Sequence, residues 1–337
     1  MNPIDIFKAT MPFIRIKLLI ESVFVLFKVF IVALAVWGIT GMHYEGFVFR
    51  FDTHYRNFVI TAAVMGIAVY PLMTLVIRKY IAYMVRVGHI ATITRIIKSG
   101  KIPRNQIRYG YRQVKKNFLR ANVFFVLNRL VHKAVVELQA FVQNLLGGLG
   151  IVAALAVMFK KSLINYIDEC CLGITFLRPD IKPFTGAIIG VCVYIQSWRA
   201  MARQAVRVSL EAFAVTLVFY VAGGVWLYIS VTSRNIASIV LSLVLIFVGN
   251  AIKKSVLDSY IMVNMLTVFF NESKKIPNIQ ESKPIIERAS VISPGFCNLV
   301  YHANETEPFL NEDEQLAILN NRRVGMALGA TTNMRSR

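Results

Sequence analysis

Apolar residues run along this chain in long blocks separated by polar punctuation. Ser22 to Gly41 is almost unbroken, and at 1.5 Å per residue about twenty residues cross the ~30 Å hydrocarbon layer of a bilayer. The pattern predicts a first span over 22–41 and a second over 58–77. Pro71 interrupts the second, where its missing donor and ring clash predict a kink. Leu210 to Val231 and Ile236 to Ile252 predict two further spans, joined as a hairpin by Thr232-Ser-Arg-Asn235. The expected fold class is therefore all-α: a polytopic helical membrane protein with four spans and one or two re-entrant or interfacial segments.

Between the spans the pattern is less regular. From Arg78 to Lys182 the chain is apolar but repeatedly charged, with breaks at Gly100-Lys-Ile-Pro103 and Gly147-Gly-Leu-Gly150. Placed on a helical wheel, the basic positions of this whole region do not gather on one face. Glu137, Gln139, Gln143 and Asn144 leave only Leu145 to Phe159 continuously apolar, too short to span, so 137–159 is expected to be re-entrant or interfacial. Phe184 to Trp198 carries Gly186 and Gly190, a small-xxx-small spacing that lets helices approach closely.

Composition supports the membrane class. Of 337 residues 56% are hydrophobic and 17% charged, an apolar excess that lipid covers more readily than water. Yet the net charge is +20, and no Asp or Glu occurs from Phe58 to Val136, where Arg78, Lys79, Lys98, Lys101, Arg104, Arg108, Lys115 and Lys116 lie. The positive-inside rule places this block, and with it both termini, in the cytosol. Charge of this kind also predicts contact with anionic lipid headgroups. With no zinc spacing, basic zipper or RNP-like stretch, no nucleic-acid partner is expected.

The expected organisation is an interfacial segment over 1–21, a transmembrane hairpin over 22–77 and a basic, partly membrane-embedded cytosolic region over 78–208. A hairpin plus interfacial helix follows over 209–270, then a disordered cytosolic tail over 271–337, rich in Pro, Asn, Ser, Glu and Lys. The acceptor patterns Asn271-Glu-Ser273 and Asn304-Glu-Thr306 then lie inside the cell and go unglycosylated.

Candidate chemistry is thin. Lys28 lies within the first span, where it can snorkel to the interface or turn into a bundle. Glu211 and Asp258 sit near the cytosolic ends of their segments. Asp168-Glu-Cys-Cys171 suggests a soft metal site or a lipidated cysteine pair, but adjacent helical residues diverge by about 100° and cannot converge on one ion. His43, Glu45, Asp52 and His54 share an external link as solvated loop residues. No nucleotide loop, catalytic triad order or kinase signature occurs, so neither an enzyme nor a cofactor or resident metal is expected.

From Ile236 an apolar span is followed by Lys-Lys-Ser-Val-Leu-Asp258-Ser-Tyr and a second apolar stretch ending in Asn271-Glu-Ser. This order resembles the C-terminal end of the choline transporter-like family, and the Tyr166-Ile-Asp-Glu stretch and the run to Tyr228 are similar to its C-terminal half. The resemblance covers about 160–275 and implies a membrane transporter; no site residue carries over.

Two functions are expected from these readings. The first is a small-solute permeation pathway, formed by the monomer or shared in a homo-oligomer, for which Lys28, Pro71, Gln143, Asn144, Gly186 and Gly190 are the candidate lining or packing residues. The second is a non-transporting membrane organiser that binds anionic lipid through the basic block.

Overall fold

The computed structural model describes residues 2–40, 53–118, 129–138, 166–167, 169–233, 236–275, 279–306, 308–311, 313–318 and 320. Among them every regular element is helical: α1 (Pro3–Ala9), α2 (Met11–Thr40), α3 (Thr53–Met73), α4 (Tyr83–Ser99), α5 (Gln106–Phe118), α6 (Pro183–Thr232), α7 (Ile236–Ile252), α8 (Asp258–Ser273), α9 (Lys283–Ile292) and α10 (Pro294–Thr306). Unlabelled helical stretches cover 129–138 and 169–177. Three helical runs are long and apolar enough to cross a membrane: Thr61–Ser99, Pro183–Thr232 and Ala237–Ser273.

Pro71 does not end its helix. It lies inside α3, and the backbone passes at Thr74–Ala82 into a π-helical segment before α4 resumes the ordinary pitch. A wider i→i+5 turn is one way a helix takes up a displaced backbone group. A second π-helical segment, Lys253–Leu257, links α7 to α8.

The chain divides into two compact units. The second unit comprises Ala9–His89 and Leu210–Tyr260. In it α2 packs against α3, α7 and the Lys253–Leu257 segment. Glycines set the closest approaches: a Cβ on Gly66 would lie 2.9 Å from Ile31, one on Gly223 2.6 Å from Ile246, and one on Gly249 2.6 Å from Phe219. The last two contacts are reciprocal and hold α6 against α7 as the expected hairpin. Near its tip Trp226 Nε1 donates to Ser238 Oγ at 2.8 Å, and Ser230 and Ser238 share a 2.6 Å hydrogen bond. The outward side chains of this unit are large and apolar, with Leu26 69% and Val218 67% exposed alongside Leu72, Leu241 and Ile67. Water penalises such a surface and lipid does not.

The first unit comprises Met1–Lys8, Ile90–Ser209 and Ile261–Arg337 and has an ordinary buried core. Ile90, Ile93 and Ile96 of α4, Ile188 of α6, Leu266 and Phe269 of α8, and Phe296 and Leu299 of α10 are each fully buried. Each such side chain contributes about 1.5–3 kcal/mol of apolar burial. The small-xxx-small spacing acts here: a Cβ on Gly190 would stand 2.9 Å from Cys171 Cα, and one on Gly186 3.2 Å from Thr175 Cγ2. Phe184 to Trp198 is no separate segment but the start of the 50-residue α6.

The tail departs most from expectation. Residues 279–306, expected to be disordered, form a 3₁₀ turn and two helices that bury Ile286, Phe296, Cys297, Val300 and Ala303. Ser293 opens α10: its backbone is extended and its Oγ accepts the Phe296 N–H at 3.0 Å, the geometry of an N-cap. The same Oγ donates to Glu137 Oε2 at 2.7 Å, and that oxygen also accepts the Gly295 N–H at 2.7 Å. Glu137 thus pins the 129–138 helix to the start of α10 with charge-assisted bonds. Asn304 is buried, its Oδ1 accepting from Phe309 N and Leu310 N, so this acceptor pattern has a structural use. Lys283, hydrogen-bonded to Glu314 at 2.6 Å, holds that carboxyl below the usual glutamate range.

Candidate functional site

Two polar constellations stand out, one in each unit. The first is built on α5. Gly100, at φ +65°, ends α4 in the left-handed conformation, its N–H bonded to Ile96 O at 2.8 Å. Asn105 then caps α5, its Oδ1 accepting the Arg108 N–H at 3.0 Å. Along α5 the exposed residues are Arg108, Tyr111, Arg112, Lys115 and Lys116, while Gly110 and Val114 are buried. Those exposed positions follow the i, i+3, i+4, i+7, i+8 rule, so they form one stripe.

Lys101 and Arg104 extend the positive surface into the preceding loop, both exposed. Arg95 sits 5.5 Å from the Tyr109 ring centroid and ties α4 to α5. Lys98 is partly structural, donating to Leu177 O at 2.7 Å. Arg104, Arg108, Arg112, Lys115 and Lys116 make no ion pair with any described residue. The basic residues do gather on a face, then, within this one helix. The wheel drawn over the whole region missed it because the breaks at Gly100 and Pro103 reset the helical phase.

The second constellation lies on α2. Lys28 turns into the bundle: its Nζ is 5.5 Å from the Tyr70 centroid on α3 and 5.4 Å from the Phe247 centroid on α7. Phe27 stacks on Tyr70 and Phe24 meets it edge-on, each at 6.3 Å. Toward the start of α2, Lys17 Nζ lies 3.0 Å from His89 Nδ1 and 3.0 Å from Ser259 Oγ. Phe13 stacks on the His89 ring at 5.1 Å. A lysine ammonium only donates, so it fixes His89 as the tautomer protonated on Nε2. That Nε2 is buried and has no hydrogen-bond partner among the described residues.

The other expected residues distribute as follows. Pro71 adjoins Tyr70 of the aromatic group; Gly186 and Gly190 pack the first unit, whereas Lys28 belongs to the second. Gln143 and Asn144 fall outside the described residues, as do Asp168 and most of 137–159. The side chains of Arg78, Lys79 and the His43–His54 group do too. Cys170 and Cys171 are buried in the core, outside any disulfide among the described residues, a position closed to lipidation. Glu211 accepts the Tyr260 hydroxyl at 2.7 Å. Among the described residues no three His, Cys, Asp or Glu side chains gather to hold a metal.

Sequence reasoning missed the Lys17–His89–Ser259 contacts. One signal was present: Lys17 and Lys28 are eleven residues apart, three helical turns to within about 20°, and so share a face of α2. Compared with protein-family models, with curated proteins and with solved structures, the chain finds no match.

Proposed function

We propose that this chain is a multi-pass membrane organiser that crosses the bilayer four times, over 22–41, 58–77, 210–231 and 236–252, and docks its first unit onto anionic lipid headgroups. The observation that carries this reading is the α5 stripe: Arg108, Arg112, Lys115 and Lys116 exposed on one side with Tyr111 among them, and Gly110 and Val114 buried on the other. Arginine and lysine near an anionic leaflet contribute about 1 kcal/mol each. A tyrosine within such a face sits well at the headgroup level, its ring apolar and its hydroxyl wet. Both termini and the stripe lie on the cytosolic side in this reading.

The test uses full-length protein carrying an environment-sensitive fluorophore at Tyr111→Cys. In phosphatidylcholine vesicles containing phosphatidylserine, a headgroup-attached quencher dims the probe, and the effect reverses as salt shortens the Debye length. In vesicles of phosphatidylcholine alone it stays bright. Equal brightness in the two lipids refutes the docking.

A second reading, solute permeation, is favoured by Lys28 held between the ring faces of two other helices inside the apolar unit. The resemblance to the choline transporter-like family supports the same reading.

A further inference from the structure

We infer that Lys17, His89 and Ser259 form a proton-operated latch at the start of α2, closed while His89 is neutral and opened when its ring takes up a second proton. The three residues come from three helices of the second unit, α2, α4 and α8, and the Lys17 ammonium joins them: Nζ donates at 3.0 Å to His89 Nδ1 and at 3.0 Å to Ser259 Oγ. Ser259 accepts with a lone pair, because its own O–H goes to Ser255 O at 2.7 Å. Phe13, stacked on the imidazole at 5.1 Å, covers the cluster from α2, and His89 and Ser259 are both fully buried.

Nδ1 is the acceptor for Lys17, so the single ring proton is on Nε2. A further proton has only Nδ1 to go to. There it removes the lone pair that Lys17 uses and sets two cations 3.0 Å apart in a site closed to water. Protonation and closure are therefore mutually exclusive. Nor is the closed state deeply held, since the Nε2–H is buried with no hydrogen-bond partner among the described residues, and water satisfies it once the cluster opens. On the elements packed here the charged and titratable groups are Lys17 and Glu21 of α2, Tyr83 and Arg86 of α4, Lys254 of the π-helical segment and Asp258 of α8. Burial first, and the Lys17 ammonium second, hold the imidazole well below the usual histidine pKa.

The latch lies just past both π-helical segments. His89 is about two turns beyond Thr74–Ala82, and Ser259 follows Lys253–Leu257, whose Ser255 accepts its hydroxyl. Turns of this kind recur at functional sites in helices. Opening the latch releases the start of α2 from the two helices into which these segments lead.

The latch does not depend on lipid docking by α5. Hydrogen–deuterium exchange of the full-length protein in phosphatidylcholine nanodiscs reads it, with protection corrected for the intrinsic amide rate at each pH. A histidine in the opened state takes up its proton at about pH 6.5, whereas closed His89 refuses it, so closure is firm above that pH and weakens as pH falls through it. From about pH 7.5 to about pH 5.5 the expected loss of protection is about tenfold in peptides covering 11–24, 83–99 and 253–265, with the α6–α7 hairpin tip around Trp226 and Ser238 unchanged. His89→Asn keeps an acceptor for Lys17 in the place of Nδ1 and cannot titrate, so over the same range its protection there changes by less than about twofold. A loss in His89→Asn equal to that of the wild type assigns the response to other groups and overturns the latch. If His89→Asn does not fold, the wild type decides alone: a loss confined to the three segments supports the latch, and no loss, or a loss shared equally by the hairpin tip, overturns it.

Discussion

Replacing Arg108, Arg112, Lys115 and Lys116 together by glutamine is expected to lower the association of the full-length protein, held in phosphatidylcholine nanodiscs, with phosphatidylserine vesicles by about a thousandfold. The four side chains are exposed, share one stripe and make no ion pair with a described residue, so their charge is available to an external surface. At about 1 kcal/mol each their sum is about 4 kcal/mol, which is about three decades in affinity. Because the helix is held by its opposite side, through Gly110 and Val114, the substitution leaves the fold intact. Co-sedimentation over a salt series reads both effects: the wild type loses affinity steeply with salt, and the variant shows a flat, weak response. Should the variant bind as the wild type does, the stripe is only a solvated surface.

Gly190→Leu is expected to prevent closure of the first unit. The nearest neighbour to a Cβ there is Cys171 Cα at 2.9 Å, with Cys171 Cβ and Sγ at 3.0 Å. Backbone cannot rotate away as a side chain can, so even Gly190→Ala is expected to cost about 1–3 kcal/mol, and a leucine consumes much of the 5–15 kcal/mol that stabilises a typical domain. The natural reporters are Cys170, Cys171, Cys192 and Cys297, all buried and outside any disulfide among the described residues. In the wild type they resist a thiol reagent until the unit unfolds; in Gly190→Leu they react at once. Trimming Cys171 to alanine does not restore protection, because the closest atom is its Cα.

Only part of this architecture was legible in the sequence. The apolar runs announce helices long and apolar enough to cross a membrane, because a bilayer demands length and apolarity and little else. The hairpin of α6 and α7 was equally plain, since its spans and their short link are local in the chain. Gly186 and Gly190 were recognised as a close-packing pattern, though their partner, the 169–177 stretch, was not.

What remained hidden depends on long-range geometry. The tail looks disordered because polar residues interrupt its apolar ones. It folds because Phe296, Cys297 and Val300 fill a core supplied by other segments, and because Glu137, distant in sequence, completes the cap of α10. The α5 stripe was obscured by averaging over a region with several breaks. The Lys17–His89–Ser259 cluster joins three separate helices, and nothing local to any of them signals the others. Lys28 was visible as a charge inside an apolar run, but its place beside two ring faces depends on where Tyr70 and Phe247 lie.

The proposed four-span topology, with the α5 face in the cytosol, is open to a direct check by cysteine accessibility. Single reporters are placed at Tyr44, Lys101, Lys161 and Ser273 in full-length protein and treated with an impermeant thiol reagent in sealed cells. The account predicts labelling from outside at Tyr44 alone, with Lys101, Lys161 and Ser273 labelled only after the membrane is opened. Labelling of Lys101 from outside would contradict it, by placing the basic stripe across the membrane from the anionic leaflet it is proposed to meet.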